Sequence, residues 1–187
     1  MIEDIGFTGT SDDMTGEQVN AVDAMLQFFK EAGAKRVRHG LCIGSDETFH
    51  RMARKYQYWV IGHPGVTRLK TIIKRSLVKC DDLMPPKWFI TRNHDIVDRV
   101  HVMIATPREF TEVMIGSGTW ATIRYARKTN VPLVTVFPSG MAIVEHVEGY
   151  LKDMSIPSVL QLIARQEKNT QDYATYRKDP YALDPRD

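Results

Sequence analysis

Val100-His101-Val102-Met103-Ile104-Ala105, a Thr106-Pro107 break, a polar loop, and then Ile115-Gly116-Ser117-Gly118-Thr119-Trp120-Ala121-Thr122: how this passage is read decides the fold. Its first part reads as a strand whose apolar character is that of a strand buried on both faces. Its last part opens a helix predicted over Thr119 to Asn130, carrying Arg124, Arg127 and Lys128. A glycine pair ahead of a helix permits a tight turn and a close approach of ligand to backbone. The helix then turns its unpaired N–H groups and its positive dipole end toward the loop, the usual setting for a bound phosphate. The same pair also occurs as a plain helix cap, so the meaning of the passage rests on what surrounds it.

Upstream, Ile5 to Thr8 reads as a first strand, ended by Gly9-Thr10. Thr15 with Gln18 is a capping box. The helix it starts places Val19, Val22, Leu26 and Phe29 at spacings of three and four before Ala32-Gly33-Ala34 ends it. Val37 to His39 is a second strand, and Gly40, Gly44 and Ser45-Asp46 lead into a helix from about Asp46 to Tyr56. Tyr58 to Ile61 is a third strand, closed by Gly62-His63-Pro64-Gly65; Val100 to Ala105 is the fourth and Leu133 to Phe137 the fifth. Between Val66 and Phe89 the periodicity blurs and basic residues dominate, which suits either a solvated face or a basic lid over an anionic ligand. Thr91 is placed to cap a short helix running through Ile96-Val97.

Alternating strands and helices with short connections predict an α/β fold: a Rossmann-like, doubly wound, mostly parallel sheet of about five strands. The domain is expected over residues 1–140, followed over 141–187 by a helical extension, marked first by Ile143, Val147, Tyr150 and Leu151, and a polar tail. Ligands of such sheets bind outside the carboxyl ends of the strands. Five loops fall there: Gly9-Thr10, Gly40 to Asp46, His63-Pro64, Thr106 to Thr119, and Pro138-Ser139.

Composition excludes several classes. A net charge of +2 over 187 residues is too small to imply nucleic-acid binding, and nucleic acid is not expected as a partner. No apolar run approaches the roughly 20 residues that span a bilayer, and the acidic Met1-Ile2-Glu3-Asp4 start does not resemble a signal peptide, so a cytoplasmic protein without membrane contact is expected. Cys42 and Cys80 fit no metal spacing, the six histidines show no paired ligand spacing, and neither metal nor cofactor is expected.

Taken together, Gly6-Phe7-Thr8-Gly9-Thr10, Met14-Thr15-x-x-Gln18, His39-Gly40-x-Cys42-Ile43-Gly44-Ser45-Asp46, His63-Pro64, Arg92-Asn93-x-x-Ile96-Val97, Ala105-x-Pro107 and Gly116-Ser117-Gly118-Thr119-Trp120-x-Thr122-x-Arg124-x-Ala126 resemble the SLOG superfamily. Its members are Rossmann-like nucleotide-binding proteins, among them DprA, the LOG phosphoribohydrolases and many small phage and bacterial proteins. The resemblance runs colinearly over about residues 5 to 138. It implies a ligand site built from Gly9, Thr10, Gly44, Ser45, Asp46, His63, Arg92, Asn93, Gly116, Ser117, Gly118 and Thr119. Backbone N–H groups and the Thr119 hydroxyl would donate to phosphate, and Arg92 would recognise it bidentately. Each site has a structural alternative: a helix cap for Gly116 to Thr119, Ser45, Asp46 and Asn93, a turn for Gly9-Thr10, an ion pair for Arg92, a scaffold role for His39 and His63. Trp120 is expected in the core.

The departures bear on function. LOG-type enzymes carry Pro-Gly-Gly-x-Gly-Thr-x-x-Glu, whose glutamate takes part in cleaving an N-glycosidic bond; here Met114 and Ile115 replace the first two residues and Thr122 stands in the glutamate position. A hydroxyl cannot supply that carboxylate. Gly40-Leu41 stands where related small members carry Gly-Asp. The sequence therefore favours a protein that binds a nucleotide or nucleotide-derived small molecule as sensor, carrier or sponge, a phage sponge for a second messenger being one version by analogy. The alternative is a LOG-like nucleotide hydrolase that uses Glu109, Glu112, Asp46 or His63. DprA-like binding of single-stranded DNA is opposed by the near-neutral charge and the lack of an aromatic ladder. A homodimer or higher homo-oligomer is expected.

Overall fold

A computed structural model describes residues 2–66 and 76–146. Along the chain come β1 (Asp4–Gly9), α1 (Gly16–Glu31), β2 (Arg36–His39), α2 (Ser45–Lys55), β3 (Trp59–Gly62), β4 (Gly65–Val66), β5 (Asp82–Leu83) and β6 (Lys87–Trp88). Then follow α3 (Phe89–Val97), β7 (Val102–Thr106), α4 (Gly118–Lys128), β8 (Leu133–Val136) and β9 (Ala142–Glu145). Seven strands form one sheet in the order β5-β3-β2-β1-β7-β8-β9, while β4 and β6 pair separately. Every pairing in the large sheet is parallel except β8 with β9.

The apolar run over Val102–Thr106 is buried along its whole length, as its composition predicts. Val102 and Ile104 join a core with Val22, Leu26, Phe29 and Phe49 of α1 and α2. Met103 and Ala105 join a second core with Ile96, Trp120, Ile123 and Ala126 of α3 and α4. Side chains of a strand alternate between faces, so this partition means that helices cover both sides of the sheet. Trp120 is fully buried against Phe137, in its expected packing role.

The capping box forms as the sequence predicts, and it does more than start α1. Thr15 Oγ1 accepts from the Gln18 N–H, and Gln18 Oε1 accepts from the Thr15 N–H at 3.0 Å. The Gln18 amide then donates to the carbonyls of Pro107 (2.8 Å) and Val136 (2.9 Å), and Thr15 Oγ1 donates to Pro138 O at 2.7 Å. One polar pair thus ties the first helix to the carboxyl ends of β7 and β8 and satisfies carbonyls that burial would otherwise strand.

Several elements differ from the sequence reading. The sheet gains β5, two residues long and too short to show periodicity. Ile143, expected on a helix, instead pairs with Thr135 in antiparallel β9, because the Pro138–Gly140 turn returns the chain: Gly140 N–H donates to Phe137 O, and Phe137 N–H to Met141 O. The rest of the expected helical extension, Val147 onward, lies outside the described residues, as do Arg68, Lys70, Lys74 and Arg75 of the basic stretch. Helix α3 begins at Phe89 directly after β6, so Thr91 lies inside it and caps nothing.

Candidate functional site

Strands β2 and β3 leave β1 on one side and β7 and β8 leave it on the other, so the strand order reverses between β1 and β7. Connections diverge at such a switch point and leave a crevice at the carboxyl ends. A cavity of about 650 Å³ occupies it, lined by the loops after β1, β2 and β7, by α3 and by the start of α4. Of the twelve expected ligand residues, Gly9, Thr10, Asp46, Arg92, Asn93, Gly116, Ser117, Gly118 and Thr119 line it; Gly44, Ser45 and His63 do not.

At the α4 end, Ser117 is the N-cap and its hydroxyl accepts from the Trp120 N–H at 3.2 Å. Helical geometry leaves the first-turn N–H groups of Gly118 and Thr119 without an intrahelical acceptor, so they are the donors that this terminus offers. The Thr119 hydroxyl, expected to donate to phosphate, donates instead to Gly9 O at 2.8 Å and ties α4 to β1. Asn93 does not cap its helix; its Nδ2 reaches Gly118 O at 3.4 Å across the cavity wall. Thr122, in the position of the LOG-type glutamate, lines the cavity, but its hydroxyl bonds back to Gly118 O at 2.8 Å within its own helix.

Arg92 departs most from expectation. It is only 6% exposed, and its Nη1 donates to the carbonyls of Gly40 and, at 2.8 Å, His63. Nη1 therefore clamps the ends of β2 and β3 together, while Nη2 lies 3.6 Å from Cys42 Sγ and the buried Nε has no partner among the described residues. The clamp also explains Gly40: a Cβ there would sit 1.9 Å from Nη1, so only glycine admits it.

Asp46 lies beside it, buried at the second position of α2, with Oδ2 accepting from the Cys42 N–H at 3.0 Å. Burial pushes its carboxyl up to about 6, against the opposing pull of Arg92. Burial likewise raises the Cys42 thiol, helped by the Asp46 charge. A cavity-lining carboxyl that titrates within reach of neutrality is a group able to take or give a proton.

The remaining expected residues have structural surroundings. Gly44 is the N-cap of α2, so neither Ser45 nor Asp46 caps that helix. Ser45 is fully buried and its N–H donates to Thr10 O at 3.1 Å. His63 is buried with Nδ1 3.2 Å from Asp95 Oδ2, out of line for a hydrogen bond. Burial and then the Arg38 charge lower its imidazole to about 4, so it is neutral at pH 7 and poor as an acid. Glu112 is held by Arg124 and Arg127 away from the cavity lining. Glu109 lines the cavity and accepts from Trp120 Nε1 at 3.1 Å.

Several lining residues escaped the sequence reading: Asp12, Cys42, Phe89, Ile90 and Arg108. Asp12, Cys42 and Arg108 sit in loops that pattern alone assigns to the ligand edge, and that placement is the signal that could have found them. The fold also brings together His39, His50 and Cys80, whose donor atoms lie within 4.8 Å of one another. Sequence spacing gave no hint of this trio. Leu41 N–H donates to His39 Nδ1 and Arg54 Nε donates to His50 Nε2 at 3.4 Å, while His39 Nε2 and His50 Nδ1 face each other at 3.1 Å.

No family model and no curated protein matches this chain. Among solved structures, it is similar to the molybdenum cofactor binding protein from the phototrophic bacterium Rippkaea orientalis: TM-score 0.55, 21% identity, over 73% of this chain and 77% of that one. It is also similar to the molybdenum cofactor carrier protein of Chlamydomonas reinhardtii: TM-score 0.52, 18% identity, over 88% of this chain and 99% of that one. At these identities the likeness establishes a shared Rossmann-like fold. No helix among the described residues is long and apolar enough to cross a membrane.

Proposed function

We propose that this protein binds a nucleotide or nucleotide-derived small molecule in the cavity between β1 and β7, as sensor, carrier or sequestering protein. One observation carries the reading. Gly9-Thr10 and Gly116 to Thr119 meet at one wall, where the α4 terminus offers backbone donors, while Thr122 turns its hydroxyl onto its own helix. A volume of about 650 Å³ suits a ligand of nucleotide size. The SLOG-like motifs support the same ligand class. The two structural neighbours are described as binding or carrying the molybdenum cofactor, so a cofactor-carrier role is a second version of this reading. Native mass spectrometry of the purified full chain, with titration of the four nucleoside monophosphates and of the molybdenum cofactor, tests it. The expected result is a nucleotide-sized adduct or a titratable ligand recovered intact; no binding across the panel would overturn it. Light scattering on the same preparation tests the expected homo-oligomer, which a monomer would refute.

The hydrolase reading keeps one specific support: Asp46 is a cavity-lining carboxyl raised to about 6. If Asp46 serves as general acid or base, incubation with nucleoside monophosphates releases free base, detectable by chromatography, and Asp46→Asn abolishes it. Intact nucleotide after prolonged incubation with the native protein would dispose of this alternative.

A further inference from the structure

Among the residues lining the cavity, two carry positive charge, Arg92 and Arg108. Arg92 is 6% exposed and commits its Nη1 to the Gly40 and His63 carbonyls; a ligand that drew Nη1 away would take the charged donor from both, a costly loss. Arg108 is in the opposite situation. It lies in the loop between β7 and α4, and its Nη1 donates to Asp12 Oδ2 in the loop after β1, with Glu109 Oε1 3.4 Å from its Nε. Side chains of the Arg108–Asp12 pair are 66% and 60% exposed. Ion pairs that exposed are weak, so an incoming anion displaces the aspartate at little cost. The pair also spans the two loops whose glycines and helix terminus frame the cavity.

Resting on the phosphate-bearing ligand proposed above, we infer that Arg108 is the residue that meets the ligand's phosphoryl group, exchanging Asp12 for it on binding, while Arg92 only holds the loops in place. The ligand class narrows accordingly. Asp12, Asp46 and Glu109 line the same cavity as the two arginines, and of those two Arg92 is buried with Nη1 held by carbonyls while the Arg108 side chain is 66% exposed. A single exposed guanidinium beside one helix terminus matches one phosphoryl group rather than a chain of two or three, whose added charge would face three carboxylates. The ligand is therefore a phosphomonoester.

The test is calorimetric titration of AMP, GMP, CMP, UMP and inorganic phosphate into wild type, Arg108→Gln and Asp12→Asn. For whichever probe binds the wild type, R108Q loses about tenfold or more in affinity, the value of one charge-assisted contact. D12N, freed of the competing carboxylate, binds about two- to fivefold tighter. Wild-type affinity falls as salt rises, and the R108Q dependence is flatter. Both variants alter exposed side chains, so an unchanged thermal midpoint certifies their folding. R108Q binding as tightly as wild type, or D12N binding no tighter, overturns the inference and leaves the ligand reading intact. A wild type that binds none of the five probes removes this inference, while the wider ligand reading then stands or falls with the molybdenum cofactor titration described above.

Discussion

Replacing Asp46 by asparagine removes a buried negative charge while keeping the side chain's shape and its oxygen acceptor for the Cys42 N–H. The native carboxyl is raised from 3.8 to about 6, chiefly by burial. The folded state therefore holds its proton more tightly than the unfolded chain does. The stabilisation this gives is fully present below pH 3.8 and is lost as pH rises through 6. Above pH 6 the ionised carboxylate costs about 3 kcal/mol relative to the unfolded state, at about 1.4 kcal/mol per pH unit. At pH 4.5 the same linkage leaves a cost of about 1 kcal/mol. Asp46→Asn should thus gain about 2 kcal/mol more over wild type at pH 8 than at pH 4.5, whatever constant offset the amide brings. Urea unfolding of both proteins at the two pH values measures it. A D46N protein less stable than wild type by more at pH 8 than at pH 4.5 would refute the reasoning and make Asp46 a structural partner of Arg92.

Three other outcomes follow from the same geometry. Arg92→Lys cannot span the Gly40 and His63 carbonyls with one planar group and should lower stability by about 2 to 3 kcal/mol in urea unfolding, the value of hydrogen bonds to a charged donor. Gly9→Ala puts a Cβ 2.4 Å from Ser45 Cβ, so α2 must shift; thermal unfolding should show a loss of about 1 to 3 kcal/mol, and binding to the cavity should fall with it. His63, lowered to about 4, supports the fold as a neutral base: its contribution is present above pH 6.5 and is lost as pH falls toward 4. His63→Gln should remove that acid limb, worth about 3 kcal/mol, from the pH dependence of stability; an unchanged limb would show that His63 does not titrate as its burial dictates.

Asp46 and His63 act with opposite sign over much the same pH window, so the wild-type stability curve between pH 4 and 6 should be flatter than either group alone would make it. This opposition arises in the folded state. The sequence marks both residues as site candidates and cannot tell that one faces the cavity while the other is sealed beneath it.

By itself, the sequence determined the elements governed by local spacing. The β7 run announced a doubly covered strand because both faces had to be apolar, and Met103 and Ile104 indeed enter different cores. Thr15 and Gln18 announced a helix start because their bonds span three residues and need no distant partner. The loops at the sheet's carboxyl edge followed from the order of strands and helices. Only the tertiary structure decided what their side chains do. Arg92 reaches carbonyls 52 and 29 residues away, and Arg108 meets Asp12 across 96 residues. Such partners have no sequence period and depend on which strands lie adjacent. The same holds for Ile143, whose apolar character suits a helix or an edge strand equally until the Pro138–Gly140 turn lays it against β8. Spacing along the chain encodes hydrogen bonds that close over a few residues; the charge pattern of the cavity arises from contacts that exist only once the sheet is assembled.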